Sequence, residues 1–254
     1  MGVAVLLLSV LVMAALNVQR REPGELSHGE RDELYGLYAR HYAATEHARF
    51  VADFMAKDWV LTLHHGLSVV GFSTQAMRQH VTQSGQALLE LFSGDTVIDP
   101  AYWGSQALST GFARLAGRLA RENAPLPLYW LLITKGYRTW RYLPLFAHEY
   151  WPNPGCATPP ASQALLDELA RARFGSAYDP SSGLLRFAES QGHLQRELAT
   201  VRSNLAERSE IRYFLKRNPG YAQGDELVCL TQLTPGNLRG PVLRAFLSGW
   251  HETQ

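Results

Sequence analysis

Residues 87–105 read ALLELFSGDTVIDPAYWGS, and the reading of the fold turns on this stretch. Ala87 to Phe92 is a run of strand-forming residues, and Thr96-Val97-Ile98 resumes it after Ser93-Gly94-Asp95. A glycine inside a strand pattern marks a β-bulge. Asp99-Pro100 stops the strand. Leu108, Phe112, Leu115 and Leu119 then recur at three- and four-residue spacing, which predicts an amphipathic helix over 105–122. The stretch is thus a long bulged strand that turns through Gly104 into a helix.

Upstream, Ser27 and Glu30 have the spacing of a capping box, and Leu34, Leu37 and Tyr38 follow at helical intervals. A helix is expected over 28–42. A second, capped by Thr45, presents Phe50, Val51 and Phe54. Trp59–Leu63 and Leu67–Phe72 read as a hairpin about His64-His65-Gly66. Downstream, Leu128–Ile133 is a strand, and 139–150 reads as a helix distorted by Pro144. Prolines at 152, 154, 159 and 160 mark a rigid connection. Helices are expected over 161–174 and 190–207, strands over 211–215 and 227–233, and a last helix over 238–248.

The composition is that of a globular chain: 46% hydrophobic and 19% charged over 254 residues. A formal net charge of +1 gives no basic face for nucleic acid. The two cysteines, Cys156 and Cys229, make neither a disulfide framework nor a zinc spacing. The histidines show no metal spacing either, so no metal is expected.

Val3 to Leu16 is almost wholly apolar. It is about 14 residues long, against the roughly 20 needed to cross a bilayer as a helix. No Lys or Arg precedes it, and Arg20 and Arg21 follow it, which is the wrong order for a secretory signal. Two readings stand: a membrane or signal segment, or a buried or over-extended N-terminus with Met13 as a start. Membrane contact by this segment is the less favoured.

The element order resembles the acyl-CoA N-acyltransferase (GNAT) superfamily. Val69-Val70-Gly71-Phe72 is similar to that family's third strand. The segment from Val97 to Ser105 is similar to the end of its fourth strand entering the coenzyme A loop, usually Arg/Gln-x-x-Gly-x-Gly/Ala. The resemblance implies an α/β fold with a central mixed sheet flanked by helices, its first strand at Leu16–Arg20. On this resemblance residues 15–254 are expected to form one domain behind the apolar segment 1–14, with 151–209 as a helical insertion before the last strand pair. It implies transfer of an acyl group from acyl-CoA or acetyl-CoA to the amine of a small-molecule acceptor, in the cytoplasm. The alternative is a GNAT-shaped binding or regulatory module without catalysis.

The coenzyme-binding residues implied are Val97, Ile98, Trp103, Gly104, Ser105, Gln106, Ala107 and Leu108. In such a loop, amides at a helix N-terminus point at the pyrophosphate, and glycine lets the backbone come close. Here Trp103 stands where Arg or Gln is usual, and Gln106 and Leu108 replace the small residues. Two catalytic candidates follow. Glu90, in the middle of its strand, is either a general base raised by burial or a residue on the solvated face. Tyr142 is either the phenol that protonates the departing thiolate or a core aromatic, with Tyr137 competing for the role. Lys135, Arg138 and Arg141 form a cationic cluster suited to the coenzyme's phosphates or to solvent.

Overall fold

A computed structural model describes residues 15–252 of the chain. The expectations for residues 1–14 fall outside the described residues. The chain runs β1 (Leu16–Arg21), α1 (His28–His41), β2 (Tyr42–Ala43), α2 (His47–Met55), β3 (Trp59–His65), β4 (Ser68–Val81) and β5 (Ala87–Ile98). It continues through α3 (Ala107–Glu122), β6 (Leu128–Thr134), α4 (Tyr137–Trp140), α5 (Tyr142–Phe146) and α6 (Pro160–Phe174). Then come β7 (Tyr178–Asp179), β8 (Leu184–Leu185), β9 (His193–Leu194), α7 (Arg196–Ala199), α8 (Ser203–Ala206), α9 (Ser209–Arg217), β10 (Glu226–Gln232) and α10 (Gly240–His251).

The main sheet has the order β1-β3-β4-β5-β6-β10-β8-β7. Every pairing in it is antiparallel except β5 with β6. The fold is the expected mixed α/β one, a central mixed sheet with helices on both faces. Side chains alternate across it. Leu89, Leu91, Trp130 and Leu132 point to one face, covered by α3, α4, α5, α9 and α10. Leu88, Phe92, Leu131 and Val228 point to the other, where α6 covers one part. Beside it α1 and α2 pack on Val60, Phe72 and Val97. The Ser27–Glu30 capping box forms, with Glu30 N donating to Ser27 Oγ at 3.2 Å and Ser27 N to Glu30 Oε2 at 2.7 Å. The bulge forms too: Ser73 pairs with Thr96 and Gln75 with Ser93, leaving Gly94 and Asp95 opposite Thr74.

Several expected boundaries differ. Residues 211–215 are helical, inside α9. Ile211, Tyr213 and Leu215 alternate as in a strand, but Ile211 and Phe214 are the pair buried at helical spacing. Residues 190–207 are not one helix: His193-Leu194 pair with Ala43-Tyr42, and only short α7 and α8 follow. Ala199 is the sole buried residue of those two helices, so no apolar face holds a longer one together. The 151–209 segment is therefore not purely helical, since β7 and β8 extend the main sheet beyond β10. The helix expected over 139–150 is split at Arg141. His64 and His65 belong to β3, with the reversal at Gly66-Leu67. Glu46, not Thr45, stands at the N-cap of α2.

Candidate active site

The parallel register of β5 and β6 runs from Leu89↔Leu128 to Ser93↔Leu132. Beyond it β5 continues to Ile98 against β4, and β6 continues to Thr134 against β10. The two strands part, and a cavity lies on each side of the gap. Beneath α3 and α5 is a narrow slot of about 30 Å3 lined by Ser93, Leu108, Phe112, Trp130, Leu132 and Tyr142 among others. On the opposite face, between α1–α2 and the segment after α6, is a cleft of about 350 Å3. Thr96 and Thr139 line both, so the two spaces lie back to back where the strands separate.

The bulge turns Asp95 into the larger cleft. Its half-buried carboxylate has no hydrogen-bond partner among the described residues. Burial, first of all, raises its pKa to about 6, and Asp53 and Glu226 add to this while Lys135 and Lys57 oppose it. Glu226, 5% exposed, faces Lys135 with Oε1 3.3 Å from Nζ. Burial also holds its carboxyl above the usual range. Tyr38, 7% exposed, lines the cleft with a hydroxyl that has no partner among the described residues. The insertion supplies Arg173, Phe174, Phe187 and Gln191 to the same wall.

Glu90 is elsewhere. It is fully buried, with Oε2 accepting from Arg78 Nε and Nη2 at 3.0 and 2.8 Å and Oε1 accepting from Arg173 Nε. Both oxygens are taken by guanidinium groups, and Glu90 lines neither cavity. The expectation of a general base at Glu90 is corrected to an ion pair that ties α6 to the sheet. The strand alternation that turns it from solvent also turns it under α6.

Tyr142 lines the slot, its ring edge-on to Phe146 at 6.0 Å. Burial keeps its phenol above the ordinary range, hence protonated. Tyr137, by contrast, is buried in the core beside Trp140.

The loop into α3 keeps Gly104 at φ +97°, a conformation that suits glycine. Ala107 N donates to Ser105 Oγ at 3.2 Å. The amides of Gln106, Leu108 and Ser109 have no hydrogen-bond partner among the described residues. Leu108 itself is in the core and at the slot, and Val97 packs under α1 and α2. The Ile98 carbonyl accepts from Trp103 Nε1 at 2.8 Å and faces His41 Nε2 at 3.0 Å. Trp103 remains 42% exposed, with the Arg138 guanidinium 4.5 Å from its ring centroid. The expected cationic cluster divides: Lys135 turns into the cleft and Arg138 onto Trp103.

Asp95, Glu226 and Tyr38 were not among the sequence candidates. For Asp95 the signal was the bulge itself, a carboxylate directly after its glycine. For Tyr38 and Glu226 helical spacing and an apolar strand pointed to the core, and only the tertiary arrangement opens them to the cleft.

Among the described residues no helix is long and apolar enough to cross a membrane, and no group of His, Cys, Asp or Glu could hold a metal ion. No family model matches the sequence, and no curated protein matches it. Solved structures similar to it include a probable N-acyltransferase of unknown function from Enterococcus faecalis, at 13% identity and TM-score 0.39, covering 52% of this chain and 33% of that one. The ribosomal-protein-S18-alanine N-acetyltransferase from Escherichia coli is similar at 10% identity and TM-score 0.38, covering 85% and 94%. An aminoglycoside N-acetyltransferase in complex with coenzyme A is similar at 10% identity and TM-score 0.34, covering 42% and 72%.

Proposed function

We propose that this chain is an acyl-CoA-dependent N-acyltransferase, with the coenzyme entering from the α3 side of the gap and the amine from the other. The observation that carries the reading is that Thr96 and Thr139 line both cavities, with a raised carboxylate on one side and a protonated phenol on the other. The uncommitted amides at the start of α3 suit a pyrophosphate. Arg138, half-buried beside Trp103 and without a carboxylate partner among the described residues, offers the cation that position 103 lacks.

The chemistry needs no group beyond these. An ammonium acceptor gives a proton to Asp95, and its nitrogen lone pair attacks the thioester carbon. The C–S bond breaks as Tyr142 protonates the departing thiolate, and the acylated nitrogen gives up its second proton, which returns to the Tyr142 phenolate. Holding both reactants at one gap supplies much of the rate by proximity. A slot of about 30 Å3 has room for little more than one water, so the coenzyme arm must widen it by moving α5 or the 100–106 loop.

Titration calorimetry with acetyl-CoA tests the reading. Saturable binding is expected, with release of free thiol once an amine is added. Gly104→Pro should abolish binding, because proline requires φ near −65° where the loop has +97°. Absence of acetyl-CoA binding by the unaltered chain overturns the reading, and full affinity in a folded Gly104→Pro variant removes this loop from it.

A further inference from the structure

The larger cleft joins two features not explained by acyl transfer in general: unpaired acid and apolar edges. Its basic side chains are already engaged. Lys57 Nζ is 2.5 Å from Asp53 Oδ2, Lys135 Nζ is 3.3 Å from Glu226 Oε1, and Arg49 Nη2 is 2.8 Å from Glu189 Oε2. Arg173 is held by Glu90. The carboxylates left without a cation among the described residues are Asp95, inside, and Glu46, exposed at the rim.

Two rings on the wall already carry positive charge. The Arg173 guanidinium is 4.4 Å from the Phe92 ring centroid, and Lys135 Nζ is 5.4 Å from that of Tyr42. These two rings are therefore taken by the protein's own cations through the ring quadrupole. Next to them Phe174 and Phe187, both half-buried, meet edge to face at 6.5 Å. The hydroxyl of the nearly buried Tyr38 reaches the same space unpartnered. A volume of about 350 Å3 is at the small end of the roughly 300–1,000 Å3 of small-molecule sites.

We propose that this cleft takes a small primary amine as its cation, with an apolar body against Phe174 and Phe187 and no anionic group beside the amine. The proposal rests on the acyl-transfer reading for what happens next, but not for the binding itself. The ammonium is drawn to Asp95. A neighbouring carboxylate on the ligand would face Asp95, Asp53 and Glu226 with both lysines already paired. Like-charge juxtaposition of this kind is strongly unfavourable.

The test is a matched set of amines. Binding of 2-phenylethylamine, phenylalanine and ethanolamine is measured by calorimetry on the full chain without coenzyme, then thiol release is followed with each and acetyl-CoA. The aryl amine should bind at least on the order of tenfold more tightly than either other compound. Phenylalanine lacks the charge match and ethanolamine the apolar body. Asp95→Asn should abolish the preference for the amine over the amino acid, and Phe187→Ala the preference over ethanolamine. Equal binding of all three, or preferred binding of phenylalanine, overturns the inference, even if some other acceptor is acetylated. Selective binding of 2-phenylethylamine with no acetyl-CoA binding leaves the cleft assignment standing and overturns the acyl-transfer reading instead.

Discussion

Asp95 and Glu90 lie five positions apart on one strand, and their surroundings give them opposite fates. Asp95 is desolvated beside Asp53 of α2, Lys57 just after that helix, Lys135 after β6 and Glu226 of β10, and its pKa rises to about 6 from an ordinary 3.8. A base must be ionised to work, so the acyl-transfer rate should fall as pH drops through about 6. Asp95→Asn should lower kcat by about 10²–10⁴ and abolish that limb of the pH profile. The stability effect has the opposite sign. A carboxyl raised in the folded state stabilises it below the unfolded pKa, and that contribution is lost as pH rises through the folded pKa. Asp95→Asn should therefore raise the melting temperature at pH 8, relative to the unaltered chain, and not at pH 3. Glu90 should behave as a structural group. Glu90→Gln leaves two guanidiniums facing a neutral amide and should cost about 3 kcal/mol in denaturant unfolding, with the kcat of the folded fraction nearly unchanged. An acid among leucines is conspicuous in the sequence, and that signal alone singles out Glu90. Burial and the partner that compensates it are separate facts, and the partners Arg78 and Arg173 come from a different strand and a distant helix.

At the scale of elements, the strand–bulge–turn–helix unit over 87–122 was legible because each part carries a local signal: apolar runs, a glycine, a proline stop and helical spacing. The contact that holds α3 in place is not local. Gly117 of α3 and Gly249 of α10 lie where the two helices cross. A Cβ at Gly117 would collide with the Phe246 carbonyl, and one at Gly249 with the Arg114 carbonyl. Nothing in the spacing of either helix announces this, since the two glycines meet only once α10 folds back across α3. Gly249→Ala should force the helices apart and destabilise the chain by about 1–3 kcal/mol, as overpacking of a filled interface does, measured by chemical denaturation. The same displacement moves the α3 end that the coenzyme reading uses, so acetyl-CoA affinity should weaken in the folded variant. An alanine at Gly29, which meets nothing within 4 Å, is the control and should leave both quantities nearly unchanged.

Across the whole molecule, the segment 151–209 is expected from the sequence as a helical insertion before the last strand pair. Residues 160–174 form the expected helix, and its Leu166, Leu169 and Ala170 are buried against the sheet. The two strands that follow were illegible because each is two residues long, too short for any alternation to register. They nonetheless continue the sheet: Leu184 and Leu185 pair with Leu227 and Glu226 of β10, and Tyr178 and Asp179 pair with β8. The segment also supplies the Arg173 that neutralises Glu90. Replacing 151–209 by a short linker would therefore bare the apolar face under α6, leave β10 as an edge strand and remove one guanidinium from a buried carboxylate. Each change is unfavourable on its own. The expected result is a chain that does not fold, seen as loss of cooperative thermal unfolding and of acetyl-CoA binding together. Selective loss of acceptor binding in a stable truncated chain would show instead that the segment is a detachable lid. Its contribution to the site is separable at finer grain. Phe187→Ala removes one half-buried ring from the cleft wall and from the packing on Phe174, so it should raise the acceptor KM and lower the melting temperature slightly while leaving acetyl-CoA affinity close to that of the unaltered chain. Parallel loss of coenzyme affinity in that variant would mean that the cleft wall and the slot are one mechanical unit, not two spaces back to back at Thr96 and Thr139.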